Sequence, residues 1–367
     1  MRNRKPDEIL RRLLDAGFAA YYVGGCVRDT LLGRPVHDWD IATSARPGQV
    51  TALFSHCVPT GVQHGTVTVL LGDDRRAEVT SFRRETGYRD GRHPDRVQFV
   101  TDLSSDLARR DFTVNAMAMD LDGAITDLFD GRADLARGVI RCVGSPERRF
   151  GEDALRMLRA YRFCAQLGFW MDAETGRAIA ACAPLCARLS RERVCEETEK
   201  TLVSPKPEYV SRMAELGLLC TCGVTHCVDL SRLAALDAAP EVRWTAWKVL
   251  QPALDLKAFR LPARLCQQAG RVCATWQPQR DTLSWKRLIA AEGWDAAHLA
   301  ARVAQSGAVD EIAASGACVT LPQLAVSGRD FPQLSGRAVG DMLQALLQHV
   351  LEHPQDNTRE TLLKLAK

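Results

Sequence analysis

Apolar and polar positions repeat in two different ways along this chain, and the change divides it near residue 145. Ile9, Leu10, Leu13 and Leu14 recur at helical spacing and predict a helix over residues 1–17 that packs on a sheet. Residues 21–43 read as a strand or turn, a Gly-Gly step, a short helix, a loop and a second strand, in which Trp39 and Ile41 alternate with Asp38 and Asp40. A helix follows from Pro47 to Phe54, then β-rich runs at His64–Leu71 and Arg76–Phe82. Residues 83–102 are polar, glycine-containing and mixed in charge, which predicts a mobile loop. Leu107–Asp120 begins as a helix or strand, and Ile125–Gly144 has a turn at Asp130-Gly131 and a closing strand. Strands and helices mix throughout, so this part is expected to be an α/β domain.

After Ser145 no strand run is visible, and the remainder is expected to be all-helical. Its first helix is read as continuous over Phe150–Phe169, with Leu155, Met157, Leu158, Tyr161 and Phe163 on its buried side. Asp153, Arg156, Arg159 and Arg162 recur every third residue as a slowly turning polar ridge. Taken alone, such a ridge is a solvated face stabilised by Asp–Arg pairing.

Composition narrows the class. A chain of 367 residues, 46% hydrophobic and 25% charged, is ordinary for a soluble protein and long enough for roughly two to four domains. The net charge is only +3, so any nucleic-acid surface must be a local patch rather than a global field. No run of eighteen apolar residues is present, which predicts no membrane span, and the basic N-terminus lacks the apolar core of a signal peptide. The 13 cysteines are scattered without paired CxxC spacing and fit reduced thiols in a cytoplasm. Cys220, Cys222, His226 and Cys227 are metal-ligand types, but ligands so close in sequence strain a tetrahedral site, and small core thiols account for them better.

The candidate chemistry lies in the stretch YVGGCVRDTLLGRPVHDWDIAT, Tyr22–Thr43. Gly24 and Gly25 have no Cβ, so backbone N–H groups there can approach a large anion, and Arg28 follows three residues later. Asp38 and Asp40, two apart on a strand, share one face. Two adjacent carboxylates repel unless a cation lies between them, and hard oxygen ligands suit Mg²⁺. A phosphate cradle beside a Mg²⁺ site points to a nucleoside triphosphate. Glu78, on the Arg76–Phe82 strand, is a candidate third carboxylate, with a solvated glutamate as the equal alternative. Next to such a site the polar ridge gains a use. Cytosine and adenine both offer an exocyclic amine donor beside a ring-nitrogen acceptor; Asp153 can accept from the first and Arg156 can donate to the second. Uracil and guanine invert that pattern and would leave polar groups unmatched.

These motifs resemble the nucleotidyltransferase superfamily related to DNA polymerase β, and within it the class II tRNA nucleotidyltransferase/poly(A) polymerase family. GGCVRD and DWDIAT match the first motif, RRDFTVNAMA the block that contacts ribose and nucleotide, and EDALRMLRAYRF the base-templating helix. SRERVCEETEK carries Glu192, Arg193 and Glu197 in an E-R-x-x-x-E pattern, and LAVSGRDF resembles a step near the family's tail, with Ser327 where Asn is usual. The resemblance is dense over about residues 15–205 and thin from 220 to 315. It implies a polymerase β-like α/β head (residues 1–144), an all-α neck with the base-selecting helix (145–205), a helical body (206–315) and a helical tail that contacts tRNA (316–367). It further implies Asp38 and Asp40 as metal ligands, and Gly25, Arg28, Arg110, Asp153, Arg156, Arg159 and Arg162 as nucleotide contacts.

The activity implied is template-independent addition of the 3′-terminal CCA to tRNA from CTP and ATP. DFTVNAMAMD resembles the CCA-adding branch more than poly(A) polymerase, the runner-up, and the presence of the 83–102 segment argues against an enzyme that adds only CC. A non-catalytic RNA-binding module on the same scaffold would not need Asp38 and Asp40 to face one cation. RNA is expected along the helical part, recognised by shape through phosphates and 2′-hydroxyls. Arg188, Arg191, Lys257, Arg260, Arg264 and Lys286 are candidate contacts there, while Trp244, Trp247, Trp276, Trp285 and Trp294 are read as core.

Overall fold

The computed structural model describes residues 6–61, 65–71, 75–87 and 96–366. The first residues of the expected N-terminal helix, His64 and the centre of the expected loop at 88–95 lie outside the described residues. The chain forms two compact units: Met1–Thr201 with Arg212–Thr225, and Leu202–Ser211 with His226–Lys367.

The first unit is built on a seven-stranded sheet in the order β3-β4-β5-β2-β1-β8-β9. The strands are β1 (Ala20–Val23), β2 (Trp39–Thr43), β3 (Cys57–Gly61), β4 (Thr66–Leu71), β5 (Arg75–Ser81), β8 (Met117–Met119) and β9 (Ile125–Asp127). β2 and β5 run parallel and every other pair is antiparallel. Helices α1 (Asp7–Asp15), α2 (Gly25–Leu31) and α3 (Pro47–Leu53) fall where the apolar spacing predicts them. Ile9, Leu10 and Leu13 of α1 join Ile41, Val67, Val69 and Val79 of the sheet in a core with no solvent exposure. Each such side chain contributes about 1.5–3 kcal/mol of transfer free energy.

The stretch expected as a loop at 83–102 differs. It opens and closes with strands β6 (Arg83–Thr86) and β7 (Arg96–Phe99), paired antiparallel as a hairpin stem. β6 has no apolar residue, and the alternation of Val97 and Phe99 on β7 is too short to mark a strand by itself. α4 (Leu103–Ala108) follows, its Asp102 accepting from the backbone N–H groups of Ser104 and Ser105. α5 (Gly131–Arg137) begins after Asp130, which adopts the left-handed conformation at the expected turn. Strand β10 (Val139–Ile140) pairs parallel with β11 (Trp170–Met171), so the region beyond residue 145 is not wholly helical. Two residues are too few for any periodic signal.

The expected single helix over Phe150–Phe169 is also two: α6 (Pro146–Glu152) and α7 (Leu155–Leu167). Asp153 has extended backbone angles between them, and its side chain accepts from the N–H of Leu155. Asp competes for the backbone in this way wherever it can act as a cap. α8 (Ala173–Cys182) packs on α6, α9 (Arg191–Leu202) is tied to α7 by the Arg162–Glu197 pair, and α10 spans Tyr209–Glu215.

The second unit is helical: α11 (Pro240–Leu250), α12 (Ala263–Ala274), α13 (Thr282–Glu292), α14 (Trp294–Ala304), α15 (Ala308–Ala314), α16 (Arg337–Glu352) and α17 (Arg359–Leu365). Trp244 and Trp247 stack at 5.4 Å and meet Phe259 at 4.9 and 5.7 Å, which makes them core. Trp285 is buried too, while Trp276 and Trp294 are half-buried. Arg264 is paired with Asp295 at 2.7 Å. Cys220 is exposed, whereas Cys222 and Cys227 are buried, and the Cys227 thiol donates to the carbonyl of Val228. All 13 cysteines are free thiols. Among the described residues no helix is long and apolar enough to cross a membrane.

Candidate active site

The turn between β1 and α2 holds the Gly-Gly step beside the start of β2. Gly24 has φ +77°, a conformation that L side chains rarely adopt. A Cβ built there would lie 3.0 Å from Nη1 of Arg110 and 3.5 Å from Oδ2 of Asp40. The bare backbone therefore sits between a guanidinium and a carboxylate. The Cys26 thiol ties α2 to β2, donating to the carbonyls of Val23 and Asp40 at 3.1 and 3.6 Å. Gly24→Ala is expected to destabilise the head by about 1–2 kcal/mol through its backbone angle, and to displace Arg110. A thermal melt and a transfer assay check this, with activity lost more steeply than stability.

Asp38 lies one residue ahead of β2, with a side chain 78% exposed and its carboxylate 3.9 Å from the guanidinium of Arg76. Asp40 is much more enclosed. Burial pushes its carboxyl up to about 6; Arg110 opposes that, while Glu78 and Asp38 add to it. Glu78 is aligned with Asp40 across the parallel β2–β5 pair and is exposed. The three carboxylates thus repel one another at one edge of the cradle. Among the described residues no group of three or more His, Cys, Asp or Glu is arranged to hold a metal by itself. Mg²⁺ does not require one, because it keeps waters and is held by one or two carboxylates plus substrate phosphates. A carboxylate that is costly to ionise where it stands, flanked by two more, is a donor set that suits a divalent cation.

Arg110 is held by Asp106, whose carboxylate also takes Arg109. Burial opposes ionisation of Asp106, yet the two guanidiniums keep its carboxyl below the usual range. The Nε of Arg110 is buried without a hydrogen-bond partner. Arg28 is buried and chelates Asp29 through two 2.9 Å bonds, while its Nη1 donates to Asn115 at 2.8 Å. Asn115 donates in turn to Asp111 at 3.3 Å, and Asp111 accepts from Arg159 Nε at 2.8 Å. Although burial raises it, pairing with Arg159 leaves the Asp111 carboxyl well below its ordinary value. One network therefore joins the Gly-Gly helix, the RRDFTVNAMA block and α7.

Across α6 and α7 the expected ridge is redistributed. Asp153 marks the break between α6 and α7, and only Arg156, Arg159 and Arg162 share a helix. Asp153 accepts from Arg193 of α9 at 2.9 Å, rather than from Arg156. Arg156 instead donates to Glu152 at 3.1 Å and to the carbonyl of Arg109 at 3.3 Å. Arg162, expected to face a triphosphate, is buried against the Phe163 ring and charge-paired with Glu197 at 3.0 Å. Burial raises the Glu197 carboxyl, opposed by Arg162. Glu197→Ala would leave that guanidinium buried and alone, at a cost of about 3–5 kcal/mol, readable as a lower denaturation midpoint.

The structure brings Gly24, Asp40 and Arg110 together and sets Gly25 against Arg28, with Arg28 and Arg159 linked through Asp111 and Asn115. Glu152, Asp106, Asp111, Asn115 and Arg76 are additional residues there. Asp106 was readable from the sequence, since it stands three and four residues before the arginines it holds. Glu152, four before Arg156, carries the same signal.

A carboxylate pair on the sheet, a glycine cradle and an adjacent arginine-bearing helix define a nucleotidyltransferase head. The family described as Poly A polymerase head domain matches residues 20–141, and that described as Probable RNA and SrmB- binding site of polymerase A matches residues 168–221. A CCA-adding enzyme of Enterococcus faecalis is 37% identical, the alignment covering 98% of this chain and 94% of the relative. One from Limosilactobacillus fermentum is 39% identical over 98% and 95% of the two chains. The crystal structure of the Bacillus stearothermophilus CCA-adding enzyme in complex with CTP superimposes with TM-score 0.81 and 36% identity, over 96% of this chain and 94% of that one. This chain belongs to the bacterial-type CCA-adding enzyme family.

Proposed function

We propose that this protein adds the 3′-terminal CCA to tRNA without a nucleic-acid template, using CTP and ATP and releasing pyrophosphate. The observation that carries the reading is whole-length likeness to CCA-adding enzymes in a chain that keeps Gly24, Asp38, Asp40 and Arg110 together at one edge of its sheet. The 3′-oxygen of the RNA forms a bond to the α-phosphorus, the bond to the bridging oxygen of the β-phosphate breaks, and the hydroxyl proton passes to water.

In this reading Asp38 and Asp40 hold Mg²⁺, with Glu78 beside them. When bound, the ion would lower the pKa of the attacking hydroxyl and neutralise charge on the phosphate. The open backbone at Gly24 and Gly25 lets the triphosphate close in, and Arg110 supplies charge beside it. Arg28 and Arg159 fix the wall behind. Asp153 and Arg156 select the base, after letting go of Arg193 and Glu152. Arg162 acts by holding α7 to α9. RNA lies along the helical part, and the free thiols suit the cytoplasm. Incubation with tRNA lacking its CCA end and one labelled triphosphate at a time tests the reading. CTP incorporation is expected first, ATP only after it, and UTP and GTP not at all; equal use of all four would contradict it.

A further inference from the structure

The carboxylates stand at one end of a shelf that continues across the sheet, away from the arginines. Register aligns Asp40 with Glu78, Glu78 with Thr68, and Thr68 with Val58, through β2, β5, β4 and β3. One step along the strands, Arg76 is aligned with Leu70 and lies beside Asp38. Residues two apart on a strand share a face, so these positions form one surface. The intervening residues Ile41, Val67, Val69, Ala77 and Val79 point into the core. The shelf opens outward at Val58 (43% exposed), Leu70 (44%) and the Arg76 side chain (69%), with Thr68 buried among them. It lines a cavity of about 540 Å³.

The two sides of the carboxylates differ in chemistry. On the β1 side, Arg110 lies against Gly24 and Arg28 against Gly25, and Arg159 joins them through Asp111 and Asn115, a concentration of charge that fits a triphosphate and its pyrophosphate product. Among the described residues, the β5 side carries the guanidinium of Arg76 and two exposed aliphatic side chains, Val58 and Leu70. In-line phosphoryl transfer places the attacking oxygen and the leaving group on opposite sides of the phosphorus. With the leaving pyrophosphate on the arginine side, the attacking 3′-hydroxyl must come from the shelf. A strand end carries one charge per nucleotide, which one guanidinium matches.

Resting on the nucleotidyl-transfer reading, we propose that this shelf seats the 3′-terminal nucleoside of the acceptor RNA. Leu70 and Val58 lie under the base, Arg76 takes the phosphate on its 5′ side, and the ribose 3′-hydroxyl is directed at Asp38 and Asp40. An aliphatic platform carries no hydrogen-bond readout and accepts any base face. That suits an end that changes identity with every addition.

The test uses the full-length chain, a tRNA acceptor stem ending at the discriminator base, and the variants Leu70→Asp and Arg76→Ala. Each is expected to lower kcat/KM for the acceptor about tenfold while changing the KM and Kd for CTP less than about twofold. Thermal melts check folding, and Leu70→Ala replaces Leu70→Asp if the latter is misfolded. Independently, a wild-type complex with 4-thiouridine at the acceptor's 3′ terminus is photo-cross-linked, with adducts expected within residues 56–78. Adducts wholly outside that range, acceptor kinetics unchanged in both variants, or CTP binding lost in parallel with acceptor use would each overturn the proposal. A wild-type chain that transfers no nucleotide would refute the function reading, while the cross-link still reports on the shelf.

Discussion

Asp38→Ala is expected to lose at least about a thousandfold in transfer rate, ~4 kcal/mol of transition-state stabilisation, because in the proposed reading its carboxylate would hold the ion that serves both the attacking oxygen and the phosphate. The fold should survive, since the Asp38 side chain is 78% exposed. A melting curve superimposable on that of the wild type, with no extension product, is the expected pair of results. Asp40→Asn should be equally inactive but should differ in stability. Burial raises the Asp40 carboxyl from 3.8 to about 6, so the folded protein resists its ionisation. That penalty is fully present above pH ~6 and is relieved as pH falls toward the unfolded value, amounting to about 2–3 kcal/mol. Without metal, the Asn variant should therefore melt higher than wild type at pH 7.5, and the gain should vanish near pH 4. Mg²⁺ should raise the wild-type melting temperature and leave the variant unmoved. Proton and metal compete for one carboxylate, so the acid limb of transfer activity should start near pH 6 at limiting Mg²⁺ and move lower as Mg²⁺ rises.

The second large effect concerns base choice. In the proposed reading Arg156→Ala would remove a charged donor to the ring nitrogen of cytosine or adenine, and it should reduce discrimination against UTP and GTP by about 10–100-fold, the value of one charge-assisted hydrogen bond of 1.5–3 kcal/mol. Triphosphate affinity should fall far less, because the phosphates are held elsewhere. Arg156 is engaged with Glu152 and the Arg109 carbonyl, and Asp153 with Arg193. Reading a base therefore means exchanging protein partners for nucleotide ones, which keeps both side chains ordered. Unchanged selectivity in Arg156→Ala would remove the templating role from this pair.

Much of the head was legible because its signals are local. Trp39 and Ile41 alternate with Asp38 and Asp40, Gly24 needs its positive φ, and Pro47 opens α3 at the first helical position. What sequence reading missed follows from longer-range effects. The hairpin stem at Arg83–Thr86 and Arg96–Phe99 is held by strand pairing, and the only alternation that announces it, Val97 and Phe99, spans four residues. The break at Asp153 interrupts a helical apolar pattern that runs straight through it. A side chain capping Leu155, with Arg193 closing on the same carboxylate, decides there. Arg162 looked like one more ridge arginine until its position placed it against Phe163 and Glu197. The shelf of Val58, Thr68, Leu70 and Arg76 emerges only from register, which no single segment encodes.

The central claim is that side chains, with no template strand, write a fixed three-nucleotide end. The most direct measurement gives purified protein Mg²⁺, CTP, ATP and tRNA ending at the discriminator base, and sequences the new 3′ ends. Growth by C, C and then A, stopping there, is the predicted result. Long A tails from ATP alone on varied RNAs, or an end that stops at CC, would contradict it.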